Sequence, residues 1–260
     1  MGRISEIVRH LIIINVIFFI ASIVFGDFMY DLFAMHYPKN PDFILWQPLT
    51  HMFMHGDTTH ILFNMFGLWM FGTPLEQMWG KQKFIFYYLS AGLGAVLIQT
   101  LVYHYDVMAV TQILIENGLT KLDVNSFYET GRLNNSIIQS VGEERLYSSI
   151  KSFRAVMVGA SGALYGILVG FAMLFPNVQL MLLFPPIPIK AKFLVPLLIL
   201  FDLFFGFTSY SVGPIAHFAH IGGAITGFVM MWYWKKNQFN DKRWNSGINI
   251  LLIIQFLRKL

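Results

Sequence analysis

Val156-Met157-Val158-Gly159-Ala160-Ser161-Gly162-Ala163-Leu164-Tyr165-Gly166-Ile167-Leu168-Val169-Gly170-Phe171-Ala172-Met173-Leu174-Phe175 runs without a charged residue and stops at Pro176. A helix needs about 20 mostly apolar residues to cross a bilayer core, and this stretch has that length. Gly162, Gly166 and Gly170 recur every fourth position, so they share one helix face. Small residues in such a stripe let two helix backbones approach closely. Near one end of the stretch stands a hydroxyl, Ser161. The segment therefore reads as a membrane-crossing helix that carries an alcohol beside a smooth packing face.

Five further stretches have a similar character: Ile7 to Phe25, Thr59 to Phe71 with a ragged continuation to Trp79, Phe84 to Tyr103, Phe193 to Phe207, and Pro214 to Trp234. The whole chain has 260 residues, of which 56% are hydrophobic and only 12% charged. Soluble domains carry about 25% charged residues, so this composition excludes a water-soluble globule. It also excludes intrinsic disorder, which requires low hydrophobicity and high charge. The absence of Cys excludes disulfides, thiolate metal sites and a thiol nucleophile. No strand-like alternation indicates a membrane barrel, and no basic run with interleaved aromatics indicates a nucleic-acid partner. The first stretch follows Arg3, Arg9 and His10. It lacks a small-x-small cleavage site at its end, so it reads as an uncleaved helix rather than a signal peptide.

Loop charges predict the orientation. With the N-terminus inside, Arg3, Arg9, Lys81, Lys83, Lys190, Lys192, Lys235, Lys236, Lys242, Arg243, Arg258 and Lys259 lie inside. Lys39, Lys121, Arg132, Arg145, Lys151 and Arg154 lie outside, a division of 12 to 6 among 18 bases. Cytoplasmic loops are the ones enriched in Lys and Arg, so a cytosolic N-terminus is expected. Residues 104–155 interrupt the pattern with six acids and five bases. They read either as one or two amphipathic helices on the outer surface or in the headgroup layer, or as a solvated loop. Trp232-Tyr233-Trp234-Lys235-Lys236 reads as an interfacial anchor. The apolar run 248–260 is too short to span, which leaves 237–260 as a cytosolic or interfacial tail, or one packed beneath the bundle.

Polar groups inside spans are expensive and so point to function. His60 and Asn64 stand four apart on the second stretch, Ser161 on the fourth, Asp202 on the fifth, and His217 and His220 on the sixth. The second, fourth and sixth stretches all run from outside to inside. His60, Asn64, Ser161 and His220 each lie about a turn or slightly more from the outer end, so at ~1.5 Å per residue they share a shallow depth. Gly223 and Gly227 continue the face of His220 and offer a partner for the glycine stripe of the fourth helix. No acid reads as in register with Ser161 and His220; Asp202 is expected to reach the outer interface or cap a helix end, and His217 to be structural. His51, His55, His60 and Asp57 do not have H-E-x-x-H spacing, so no metal is expected.

At these residues the sequence resembles the rhomboid family of intramembrane serine proteases. Gly159-Ala160-Ser161-Gly162 matches its GxSG motif. His60-xxx-Asn64 matches its HxxxN motif, and Ala219-His220-Ile221-Gly222-Gly223-xxx-Gly227 its sixth-helix motif. Trp46 to Gly56 and Leu75 to Gly80 are also similar. Two departures stand out. Many bacterial members have Trp-Arg where this chain has Trp46-Gln47, and the simplest members lack the 104–155 insert.

The resemblance implies an all-α membrane protein, a six-transmembrane-helix rhomboid bundle with an outer-side insert between helices three and four. Residues 1–260 would form one membrane domain. It implies an intramembrane serine endopeptidase that cleaves transmembrane segments with a Ser161–His220 dyad. Asn64, His60 and the Ser161 backbone would stabilise the oxyanion, and Gly159, Gly162, Gly166, Gly223 and Gly227 would serve the motifs and helix packing. No cofactor is implied. The expected partners are single-span membrane proteins, with helix-breaking residues and a small residue before the cut, together with membrane lipid. The expected place is a bacterial inner membrane, with the site opening outward. The first outer loop and Ser209 to Pro214 are candidates for a mobile cover. A non-catalytic client-binding scaffold and a transporter or channel are the competing readings. The latter leaves the Ser161–His220 pairing unexplained.

Overall fold

Leu11 to Phe25 is apolar apart from Asn15 and Ser22, and in the computed structural model, which describes residues 3–181, 187–208 and 216–237, it lies in helix α1 (Glu6–Phe25). Gly26, with φ of 54°, breaks it before the short α2 (Asp27–Phe33). The following loop, expected to lie outside, carries a two-residue strand β1 (Met35–His36), α3 (Gln47–Thr50) and a tight turn at His51–Phe53. Helix α4 (Thr58–Gly67) continues through a widened π turn at Leu68–Gly72 into α5 (Thr73–Trp79). That run accounts for the ragged end of the second apolar stretch.

Helix α6 (Lys81–Glu116) is the longest. It runs past the apolar stretch that ends at Tyr103, because Val107, Val110 and Leu114 continue a buried face among polar neighbours. The 104–155 segment is helical in three further pieces: α7 (Lys121–Thr130), α8 (Asn135–Val141) and α9 (Glu143–Phe153). A reciprocal capping box between Thr120 and Asp123 starts α7, and left-handed Gly131 ends it. These helices close over the distal part of α6. Tyr37, Val107, Val110, Leu114, Val124, Phe127, Tyr128 and Leu146 form a small core beneath them.

Strand β2 (Val156–Met157) pairs antiparallel with β1, Met35 opposite Met157. Helix α10 (Ser161–Leu174) begins immediately afterwards. A hairpin of β3 (Gln179–Met181) and β4 (Pro188–Lys190) leads to α11 (Ala191–Phe207). Helix α12 (His217–Lys236) ends the described chain. The expected start of the sixth stretch at Pro214, the cover loop Ser209 to Pro214 and the tail beyond 237 lie outside the described residues.

Helices α6, α10 and α12 make the centre of the molecule, and glycine sets their spacing. A Cβ on Gly223 would collide with the Gly162 carbonyl, and one on Gly227 would meet Gly166 backbone atoms at 2.7 Å. A Cβ on Gly162 or Gly166 would collide with Ala95 or Ala91 of α6. Only backbones stripped of side chains approach this closely. Gly170 instead faces Tyr87 and Trp79. Outward faces are apolar: Ile17, Ile20, Ile23 and Val24 on α1, Phe193, Leu200 and Phe204 on α11, and Phe228 and Val229 on α12 are all exposed. Among the described residues, α1 and α6 are long and apolar enough to cross a membrane, and α10 is a shorter apolar helix.

Candidate active site

Ser161 is the first residue of α10, so its backbone N–H has no partner within the helix. The chain reaches it through Gly159, whose φ of 119° suits glycine and strains other residues. A Cβ there would also sit 2.7 Å from His60 Nε2. The Gly159 N–H donates to the His51 carbonyl at 2.9 Å, which ties the approach to Ser161 to the loop between α2 and α4.

Across the glycine interface, His220 stands in the first turn of α12. Its Nε2 lies 2.9 Å from Ser161 Oγ. The phenol of Tyr165 stacks on the His220 imidazole, with ring centroids 4.3 Å apart and planes within 9°. Tyr165 follows Ser161 by four residues, so it occupies the same face of α10. The sequence reading passed over it. The i, i+4 spacing from Ser161 was the available signal.

Asp202 corrects the expectation that no acid is in register. It is buried rather than turned to the interface, with 5% exposure. Its Oδ1 lies 3.0 Å from His220 Nδ1 and 2.7 Å from His217 Nδ1. The Tyr165 hydroxyl is a further partner. The depth count offered the signal here too. Asp202 lies five residues before the C-terminal end of α11 and His220 three after the start of α12, a difference of about 3 Å at 1.5 Å per residue. His217 is thus a partner of the carboxylate.

His60 lies in the first turn of α4, where the Asp57 carboxylate caps the helix by accepting the His60 N–H at 2.8 Å. Its ring packs edge-on to His55, with centroids 5.0 Å apart, and faces Gly159. Asn64 is buried one turn below. Its amide donates to the His60 carbonyl at 3.0 Å, so one of its two N–H groups is already engaged. Ser161, His220 and His60 therefore converge, and Asn64 stands behind His60. Among the described residues, no group of three or more His, Asp or Glu side chains could hold a metal ion.

The loop between α2 and α4, one of the two expected covers, is laced down. Gln47 Nε2 donates to the carbonyls of Asp31 and Asp42, and Trp46 Nε1 to that of Leu32. The Thr50 hydroxyl donates to the Phe33 carbonyl.

Comparison with known proteins gives a consistent result. The Rhomboid domain family matches residues 42–237. The chain is 26% identical over 191 residues to Rhomboid protein 1, mitochondrial, of Saccharomyces cerevisiae, covering 71% of this chain and 40% of that protein. It is 40% identical over 48 residues to Rhomboid protease GluP of Bacillus subtilis, covering 18% and 10%. It is 32% identical over 62 residues to Rhomboid protease GlpG of Haemophilus influenzae, covering 23% and 32%. The chain spans less than half the length of the curated relatives it matches.

Proposed function

Because the chain belongs to the rhomboid family of integral membrane proteins, we propose that it is an intramembrane serine endopeptidase that cuts transmembrane segments of other membrane proteins. The 2.9 Å contact between Ser161 Oγ and His220 Nε2 carries this reading. It is the geometry of a hydroxyl nucleophile beside its base.

In the proposed reaction, Ser161 Oγ attacks the scissile carbonyl as its proton passes to His220 Nε2. The same proton goes to the departing amine when the tetrahedral intermediate collapses. Water then attacks the acyl ester, again with His220 as base, and releases Ser161. Negative charge on the intermediate is met by the free backbone N–H at the start of α10 and by the His60 and Asn64 side chains. Losing one such donor costs roughly 100- to 1,000-fold in rate. Gly159 presents no side chain, which keeps the space between His60 and Ser161 open for the oxyanion.

The proposed setting is a six-span bundle in which α1, α4–α5, α6, α10, α11 and α12 cross the bilayer. The exposed apolar faces of these helices and the excess of bases on the inner loops support it. Residues 1–260 then form one membrane domain with the α7–α9 insert outside, and the site opens to that side. The proposed substrates are single-span membrane proteins that unwind locally, since a helical peptide bond is shielded.

The test is labelling of the purified protein in detergent by a fluorophosphonate, alongside cleavage of a fluorescent transmembrane peptide. Wild type is expected to label and cleave, and Ser161→Ala to do neither while melting like wild type. A Ser161→Ala protein that still cleaves overturns the assignment.

A further inference from the structure

A carboxylate in the low-dielectric interior is tolerated only when its oxygens are paired and bonded. Asp202 is bonded in a directed way. A carboxylate oxygen accepts and does not donate, so each imidazole that meets Asp202 Oδ1 presents an N–H. For His220 this puts the hydrogen on Nδ1 at 3.0 Å from the acid. A neutral imidazole with Nδ1–H has a bare Nε2, which is the atom 2.9 Å from Ser161 Oγ. Ser161 thus donates to His220, and His220 donates to Asp202.

We infer that Asp202 is the third member of this relay, a positioning residue that holds His220 in the tautomer able to accept the Ser161 proton and offsets the imidazolium that then forms. The inference rests on the protease reading above and extends it from two residues to three helices, α10, α12 and α11. His217 serves the same carboxylate. It precedes His220 by three residues on α12, and its Nδ1 donates to Oδ1 at 2.7 Å. Its Nε2 is buried without a hydrogen-bond partner, as a bare ring nitrogen can be at less cost than an N–H. The titratable groups around the acid are therefore His217 and His220 on α12 and Tyr165 on α10, with His60 of α4 beyond His220. Tyr165, stacked on His220, fixes the plane in which the imidazole meets both partners.

Asp202→Asn in the full chain tests this, because it keeps the side-chain volume and an acceptor oxygen while removing the charge. A packing role for Asp202 predicts near-wild-type kinetics. The positioning role predicts that kcat falls about 100-fold or more with KM and melting unchanged, and that the acid limb of the kcat/KM profile moves. Wild-type rates and an unmoved profile in Asp202→Asn overturn the inference and leave the protease reading intact. Should that variant fail to fold, wild-type protein labelled with 15N-histidine decides. A far-downfield imidazole N–H resonance that vanishes in His220→Ala supports the relay, and its absence overturns it. Wild type that neither labels nor cleaves overturns the inference together with the reading beneath it.

Discussion

Gln47 is wholly enclosed, yet its amide is matched at both ends. Nε2 donates to the Asp31 and Asp42 carbonyls at 2.9 Å, and Oε1 accepts the His36 N–H at 3.3 Å. A neutral amide can therefore lace this loop without the charge that an arginine would bring. Glu76 does comparable work at the opposite end of the bundle. Its two carboxylate oxygens accept the N–H groups of Ile7 and Val8 at 2.9 Å each, capping α1 from a neighbouring helix. An anion at a helix N-terminus with two charge-assisted bonds is strongly favourable. Glu76→Ala should destabilise the bundle by about 2 kcal/mol or more, read as a lower melting midpoint, and Glu76→Gln by less. An unchanged midpoint for Glu76→Ala would show that water replaces the cap. At this scale the depth arithmetic made Ser161, His60 and His220 legible as one cluster. Asp202 escaped, although the same arithmetic reached it, because an acid near a helix end was free to be read as turning outward.

The loop between α2 and α4 couples pH to structure. His51 is buried with its Nδ1 3.2 Å from the Gln47 carbonyl, and His55 is buried with neither ring nitrogen partnered. Burial pushes both imidazoles down to about 4. In an unfolded loop they take up protons near their ordinary value of about 6.5. Between those limits the unfolded form binds more protons, so the loop's stability is complete above about 6.5 and is lost as pH falls toward 4. The melting midpoint should fall across that window, and His51→Asn should flatten the fall. A midpoint independent of pH would contradict it. Among the elements, α1 and α11 were legible because their apolar runs are bounded by Gly26 and by Lys192, whereas α10 was legible only at its end before Pro176: it starts at Ser161 and has 14 residues rather than running from Val156, because Val156 and Met157 pair as β2. The far end of α6 was not. His104, Asp106, Gln112 and Glu116 break the apolar run, while Val107, Val110 and Leu114 keep the helical period with too few residues to stand out. The paired strands β1 and β2 were invisible for a simpler reason: two residues carry no period.

Among the described residues, the buried apolar side chains fall into three clusters. One lies among the bundle helices, a second lies between α6 and the α7–α9 cover with Tyr128 at its hub, and a small third joins Met35 and Met157 to Ala95, Val96 and Ala219. The Tyr128 hydroxyl bonds the Val107 carbonyl and Ser149 Oγ, at 2.9 and 2.7 Å. Arg154 reaches back to the carbonyls of Tyr128 and Glu129. Helix α6 contributes to all three. At 36 residues it is about 54 Å long, well beyond the roughly 30 Å of a bilayer's hydrocarbon, so in the proposed six-span arrangement its ends lie on opposite sides. The absence of native Cys makes this simple to check. In intact cells a membrane-impermeant maleimide should label Ser126→Cys on α7 and leave Gln82→Cys unlabelled until the membrane is permeabilised. Equal labelling of both before permeabilisation would defeat the six-span arrangement.

Met35 pairs with Met157, 122 positions later (157 − 35), and this sets a timetable for biosynthesis. While the ribosome is still working through α6 and the insert, Met35 and His36 have no strand to hold them. Only when Val156 and Met157 emerge can that strand pair form, and by then the serine is the next residue but three. His220 follows the serine by 59 positions, so a chain halted before α12 holds the proposed hydroxyl without its base and can cut nothing.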